Sequence, residues 1–268
     1  MAHFYDEKGE SKHEVIGKTT GKPRPSTIKD AKANGWYPSV TTILDILAKK
    51  SLEQWKESQI ALAARRLLAE GTKVHFNTED RSFVGIVREE AFKQVDDAAD
   101  LGTGIHEALE KGLQGKPYEL KYQIYVSAVK ALLDSLGVQI RQHELRLVNK
   151  DFGFAGTTDG SFMIGDGDVI GIVDFKTCKT KEGVPVEPRD SWPAQIAAYL
   201  VTHEQEIPTS GSPYRGLNIA ISTTEIGRVE AIWYTAEQLE KEWKIFYHLT
   251  EIYRLKTGHD PRFQAPVA

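Results

Sequence analysis

From Val138 to Thr177 three strand-like stretches follow one another: "VQIRQHELRLVN", which alternates apolar with polar and is rich in branched residues, "GFAGTTDGSFMI", and "DVIGIVDFKT", a β-branched run that ends in charges. Short connections leave such strands one simple arrangement, an antiparallel meander in which each pairs with its neighbour. Asp166-Gly167 between the second and third is a strong two-residue hairpin signal, predicting a type I′ turn with positive φ at both positions. That turn sets Ile164 opposite Val169 and, counting outward, Asp159 opposite Asp174. Period two puts Lys176 on the face of Asp174. Opposed Cβ atoms lie roughly 4.5–5.5 Å apart, and like charges so placed repel. A divalent cation between the two carboxylates, with a lysine beside it, gives those charges a purpose.

Helical patterns surround the meander. Residues 1–38 read as an irregular basic arm carrying Lys12, Lys18, Lys22, Arg24, Lys29 and Lys32 with Trp36 and Tyr37. That mix suits either a phosphate-tracking arm with stacking rings or a solvated tail. Residues 39–136 read as helices. One stretch runs from a capping Ser39 through Ile43, Leu44, Leu47, Trp55 and Leu67 to Gly71, with Ser51 as a candidate break. A second covers about Ala91 to Leu113, and a third about Leu120 to Leu136, stopped by Gly137. Beyond the meander a helix is predicted from Pro193 to His203, then strands "RGLNIAIST" and "RVEAIWYT", then a helix burying Leu239, Trp243, Phe246 and Ile252 on one face. The fold class is α/β: a central mixed sheet flanked by helices, with an α-helical N-terminal part.

Composition narrows the chemistry. The 268 residues carry a formal net charge of -4, so nucleic acid would have to be met by a local basic face rather than by the whole surface. The one cysteine, Cys178, excludes an internal disulfide, a multi-cysteine zinc site and an all-cysteine iron–sulfur cluster, and reads as structural. No G-x-S-x-G elbow, phosphate-binding G-x-x-x-x-G-K-[ST] loop or H-x-x-x-H pair occurs. The first residues have the features of neither a signal nor a transit peptide, and a cytoplasmic location is expected.

The motifs in order resemble the PD-(D/E)XK nuclease superfamily, in its RecB-like branch. "GTTDG" with Asp159 is similar to the family's second-strand acid, and "DFK" with Asp174 and Lys176 to its D/E-x-K. "QIAAY" with Gln195 and Tyr199 is similar to the Q-x-x-x-Y helix, and "GTGIHEALE" with His106 to a helix whose histidine joins the metal site. "YPSVTTIL" and "LEQW" resemble the mitochondrial genome maintenance exonucleases, and phage exonuclease-type proteins are similar. The resemblance implies a restriction-endonuclease-like core over 137–268, with His106 contributed by the helical part. It also implies DNA as partner, with roles in recombination, repair or phage DNA processing.

The residue types suit that chemistry. Mg²⁺ takes hard oxygen ligands, which Asp159, Asp174 and the Phe175 carbonyl offer, and an imidazole from His106 would let Mn²⁺ substitute. Lys176 would orient the attacking water and stabilise charge on phosphorus. Glu144 is a further candidate acid or, equally, an exposed carboxylate paired with Arg141 or Arg146. Glu110, four residues after His106, shares its helix face, whereas Glu107 is expected to face solvent. Gln195 and Tyr199, one turn apart, are expected to face the metal and DNA. A helical cover bearing Trp36, Tyr37, Arg65, Arg66 and Lys73 would admit a threaded single strand. The expected activity is therefore an exonuclease needing a free, single-stranded end. A structure-specific endonuclease on the same core and a non-catalytic nucleic-acid-binding module are the alternatives.

Overall fold

The computed structural model describes residues 2–47, 50–71, 74–75 and 78–263. Packing divides the chain into one unit made of Met1–Ile46 with His106–Ala268, and a second made of Leu47–Ile105. These limits differ from 38 and 136 because the first residues are part of the sheet's own core.

The first unit is built on a five-stranded mixed sheet. The meander forms β5 (Val138–Asn149), β6 (Phe154–Ile164) and β7 (Val169–Cys178), each antiparallel to the next. Helix α6 (Ser191–Glu204) returns the chain to β8 (Tyr214–Ser222), parallel to β7, and β9 (Val229–Tyr234) closes the order β5-β6-β7-β8-β9. A strand covered on both faces has no use for alternation, and β8 accordingly reads as a nearly unbroken apolar run with Leu217, Ile219 and Ile221 inaccessible.

The predicted register of β6 and β7 is found from Ile164↔Val169 to Gly160↔Val173, but the ladder ends there, one pair short of the expected Asp159 opposite Asp174. The turn is a different one. Positive φ occurs at Gly165 (63°) and Gly167 (102°), not at Asp166, so glycines on both sides of the aspartate provide the left-handed conformations.

Helix α6 is buried from Trp192 to Val201. It packs against β7, β8 and the long helix α7 (Ala236–Thr257), so polar residues on it must find partners inside the protein. Its approach to the sheet depends on missing side chains. A Cβ at Gly216 would lie 2.5 Å from Ile196 Cγ2, and one at Gly156 would lie 2.8 Å from the Tyr199 ring. On α7 Leu239, Trp243 and Phe246 are buried as expected, but Ile252 is 41% exposed and lies off the packed face. Helix α5 (Gln123–Ser135) touches both edge strands, β5 and β9. Thirteen residues at ~1.5 Å each give ~20 Å, enough to cross five strands spaced ~4.8 Å apart.

The arm is not irregular. Strand β1 (Phe4–Tyr5) pairs with β4 (Tyr37–Pro38), β2 (Glu14–Ile16) pairs with β3 (Pro23–Pro25), and α1 (Ile28–Asn34) carries a Thr27–Asp30 capping box. Tyr5 and Tyr37 pack on Ala155 of β6, and Ser39 bridges to the same residue. Tyr37 is thus a core residue, not a free stacking ring. Lys12 pairs with Asp6 and Glu10, and Arg24 with Asp30, whereas Lys18, Lys22, Lys29 and Lys32 are exposed. Ser39 caps α2 (Val40–Leu44), accepting from the Thr42 N–H at 2.9 Å.

In the second unit α3 (Lys50–Glu70), ended by Gly71 in a left-handed conformation, packs Ala63 and Leu67 with Val74, Val87 and Ala91. The last two belong to α4 (Asp80–Leu113), which starts well before the expected Ala91. The helical pattern breaks after Leu44 rather than at Ser51, which lies within α3. Arg65 and Arg66 are exposed, and Lys73 lies outside the described residues. Among the described residues no helix is long and apolar enough to cross a membrane.

Candidate active site

The charged pair that ends the apolar run of β7 is not a surface ion pair. Lys176 Nζ lies 2.5 Å from Asp174 Oδ2, with the two side chains 20% and 6% exposed. An ion pair so placed loses hydration that its Coulomb attraction does not reliably repay, and apolar residues of the same size are often as stable. Its presence at the end of a core strand is therefore not explained by stability alone.

Polar partners extend the pair in both directions. Lys176 Nζ donates to Gln195 Oε1 at 2.8 Å, and Gln195 Nε2 donates to the Tyr199 hydroxyl at 3.3 Å. The turn-apart spacing of these two residues thus directs both to the β7 site. Tyr199 is 3% exposed, and its hydroxyl is pushed far above its ordinary range by burial, with the charge of Asp174 adding to it. It acts on Lys176 through Gln195. On the other side, Asn218 of β8 sits in register with Asp174 and donates to its carbonyl at 3.0 Å and to Oδ2 at 3.4 Å.

Beyond Gly160↔Val173 strands β6 and β7 cease to pair through their backbones. There Asp159 Oδ2 accepts the Phe175 N–H at 2.5 Å, so a carboxylate takes the place of a ladder carbonyl. This fixes one oxygen of Asp159 at the strand, and the other, Oδ1, lies 3.6 Å from His106 Nδ1. Burial pulls the His106 pKa down, but Asp159, through its hydrogen bond and its charge, and then Asp174 outweigh it, and the net shift is upward. His106 comes from the last turns of α4. Glu107 on the same helix faces solvent and pairs with Lys111, whereas Glu110 is half-buried and close enough to Glu144 to raise its pKa.

Glu144 stands on β5 between His143↔Gly160 and Leu145↔Thr158, which places it level with Asp159. Its φ of 49° is left-handed, a strained conformation for glutamate, and such strain persists where the surroundings fix it. Although it lies at an exposed rim, partial burial of the carboxyl, then the charges of Asp159 and Glu110, push its pKa up to about 7. Asp174, almost fully enclosed, is also raised, first by burial, with Lys176 opposing and Asp159 adding. Cys178, half-buried with its thiol pushed up by burial, takes no part.

Three acids on three adjacent strands, with Glu110 and His106 at their edge, form a concentration of negative charge that a cation would relieve. Among the described residues no three His, Cys, Asp or Glu side chains converge closely enough to hold an ion by themselves. What the residues offer is fewer protein ligands: Asp174 Oδ1, which accepts from none of the described residues, Asp159 Oδ1, and the Phe175 carbonyl. That donor set fits Mg²⁺, which keeps several waters and rarely uses an all-protein cage.

The sequence reading missed Asn218 and its partner Tyr234. The available signal was a lone amide in the apolar run "RGLNIAIST", of the same kind as the acid in "VIGIVDFKT". No protein-family model matches this chain, and no curated protein matches it.

The raised acids have a thermodynamic consequence. A carboxyl with a higher pKa folded than unfolded binds its proton more tightly in the native state, so stability falls as pH rises between the two values. For Glu144 the window runs from 4.5 to about 7. In EDTA the urea midpoint is expected to fall between pH 5 and pH 7.5, and Glu144→Gln to reduce that fall. Equal slopes in the two proteins would remove Glu144 from the acid cluster.

Proposed function

We propose that this chain is a metal-dependent deoxyribonuclease of the PD-(D/E)XK type, RecB-like branch, acting as an exonuclease on DNA with a free single-stranded end. The observation that carries the reading is the buried Asp174–Lys176 pair at the end of β7, flanked by Asp159 and held by Gln195 from α6. A mixed sheet flanked by helices, with β7 and β8 parallel and joined through α6, is the kind of core a restriction-endonuclease-like fold requires. A non-catalytic nucleic-acid binder would gain nothing from clustered carboxylates that repel phosphate.

Asp174, Asp159 and the Phe175 carbonyl would hold Mg²⁺ or Mn²⁺, with His106 beside Asp159. When bound, the cation supplies Lewis-acid polarisation of the phosphoryl group and charge neutralisation next to it. Lys176, kept in place by Asp174 and Gln195, orients the attacking water and stabilises the charge that develops on the phosphoryl oxygens. Tyr199 keeps the Gln195 amide turned with its oxygen toward Lys176. Lys18, Lys22, Lys29 and Lys32 are exposed and would be available to meet the DNA backbone despite the acidic total.

The exonuclease assignment follows the resemblance to the mitochondrial genome maintenance enzymes. It is tested with end-labelled linear and covalently closed circular DNA, single- and double-stranded, in Mg²⁺ and in EDTA. Linear single strands are expected to be degraded much faster than circles of the same sequence, with EDTA stopping the reaction and added salt weakening binding. Rapid nicking of closed circles would favour a structure-specific endonuclease, and no cleavage of any substrate would remove the nuclease reading.

A further inference from the structure

Asn218 is inaccessible to solvent in the middle of β8, where an amide must be fully partnered to be tolerated. Its partners determine which way round it sits. Tyr234 of β9 donates its hydroxyl proton to Asn218 Oδ1 at 3.0 Å, so the other end of the amide, Nδ2, is turned to β7. There Nδ2 donates to the Asp174 carbonyl at 3.0 Å and to Asp174 Oδ2 at 3.4 Å. Lys176 Nζ is on the same carboxylate oxygen at 2.5 Å. Two donors thus converge on Oδ2 and none from the described residues on Oδ1. A carboxylate bound on one oxygen by two donors cannot rotate freely about its χ2 axis, so its second oxygen keeps a fixed direction.

We propose that Asn218 is a positioning residue for the candidate metal site: anchored by Tyr234, it holds Asp174 so that Oδ1 stays open to a divalent cation. The proposal rests on the nuclease reading above and extends it to two strands, β8 and β9, that contribute none of the expected ligands. Partners of this kind, which touch a ligand rather than the ion, commonly change metal affinity by about 10–100-fold when removed. Asn218 would act on Asp174 from the β8 side as Gln195 acts on Lys176 from α6. The parallel register Asp174↔Asn218 and the antiparallel registers Asn218↔Ile232 and Gly216↔Tyr234 place the three side chains on one face of the sheet, with Tyr234 reaching Asn218 diagonally.

The test is a calorimetric titration of the DNA-free protein with Mn²⁺, for wild type, Asn218→Ala and Tyr234→Phe, with thermal unfolding in EDTA to establish that each variant is folded. Asn218→Ala is expected to raise the Mn²⁺ Kd by about tenfold or more. Tyr234→Phe, which keeps the donor but loses its anchor, is expected to raise it by less. In DNA cleavage at saturating metal, Asn218→Ala is expected to lower kcat while KM for DNA stays near the wild-type value. A folded Asn218→Ala with a wild-type Kd would overturn the proposal, leaving the amide a packing residue. If Asn218→Ala does not fold, Tyr234→Phe decides, a weakened Kd supporting the role and an unchanged one overturning it. Wild-type protein that binds no Mn²⁺ overturns the nuclease reading and this proposal together, whereas wild-type binding with unaffected variants overturns this proposal alone.

Discussion

Asp174→Ala and Asp159→Ala are each expected to abolish DNA cleavage, and the double variant to be no worse than either. On the proposed nuclease reading the two acids would serve one function from neighbouring strands, so removing the first would already remove the charge stabilisation that the second helps to supply. A loss of several kcal/mol in transition-state stabilisation corresponds to roughly three to four orders of magnitude in rate. The two single variants should nonetheless differ in stability. Asp159 accepts the Phe175 N–H where the β6–β7 ladder ends, so its removal leaves a buried donor without a partner at a cost of about 1–3 kcal/mol. Asp174→Ala leaves the Lys176 ammonium half-enclosed without its counter-ion, but Gln195 still accepts one of its protons. Cleavage rates with denaturant unfolding on the same preparations check both statements, and a wild-type rate in either single variant would refute the site.

Much of the candidate site is legible in the sequence because its strongest elements are local. Asp174 and Lys176 stand out as charges at the end of a β-branched run, and the glycine-rich turn transmits their position to Asp159 by simple counting. The register up to Gly160↔Val173 is the one that counting gives although the turn is of a different kind, because Gly165 and Gly167 allow a tight connection with either geometry. Contacts across longer connections had no such signal. β7 and β8 are parallel and joined through α6, and no turn fixes which residue of one lies beside which of the other, so Asp174↔Asn218 could not be counted out. The left-handed backbone of Glu144 leaves no trace in composition or periodicity. The arm gives no periodic signal because strands of two or three residues, such as Phe4–Tyr5 and Tyr37–Pro38, are shorter than any periodic pattern. Tyr37, which the sequence leaves between a stacking ring and a solvated tail, instead packs with Tyr5 and Ala155 in the core.

Lys176 and His106 stand on either side of the acids, and their removal is expected to separate turnover from metal binding. Lys176→Ala deletes the cation that touches Asp174 at 2.5 Å and that Gln195 holds in place. Loss of a preorganised charge at the position where negative charge develops costs about 10²–10³ in kcat. Metal affinity should be little changed or slightly improved, because a positive charge next to the carboxylates has gone. His106→Ala acts the other way. The imidazole lies 3.6 Å from Asp159 Oδ1 and is 36% exposed, so it can turn toward an ion without disturbing the core. Its loss is expected to weaken Mn²⁺ binding by about tenfold and to narrow any preference for Mn²⁺ over Mg²⁺, since only oxygen ligands remain. Gln195→Ala provides the internal control: it leaves both charges of the pair in place and frees the Lys176 ammonium, so it should lower kcat by less than Lys176→Ala and leave metal titrations unchanged. Equal losses of metal affinity in all three variants would mean that the network holds the fold of β7 as a whole and that no separate role belongs to lysine or histidine.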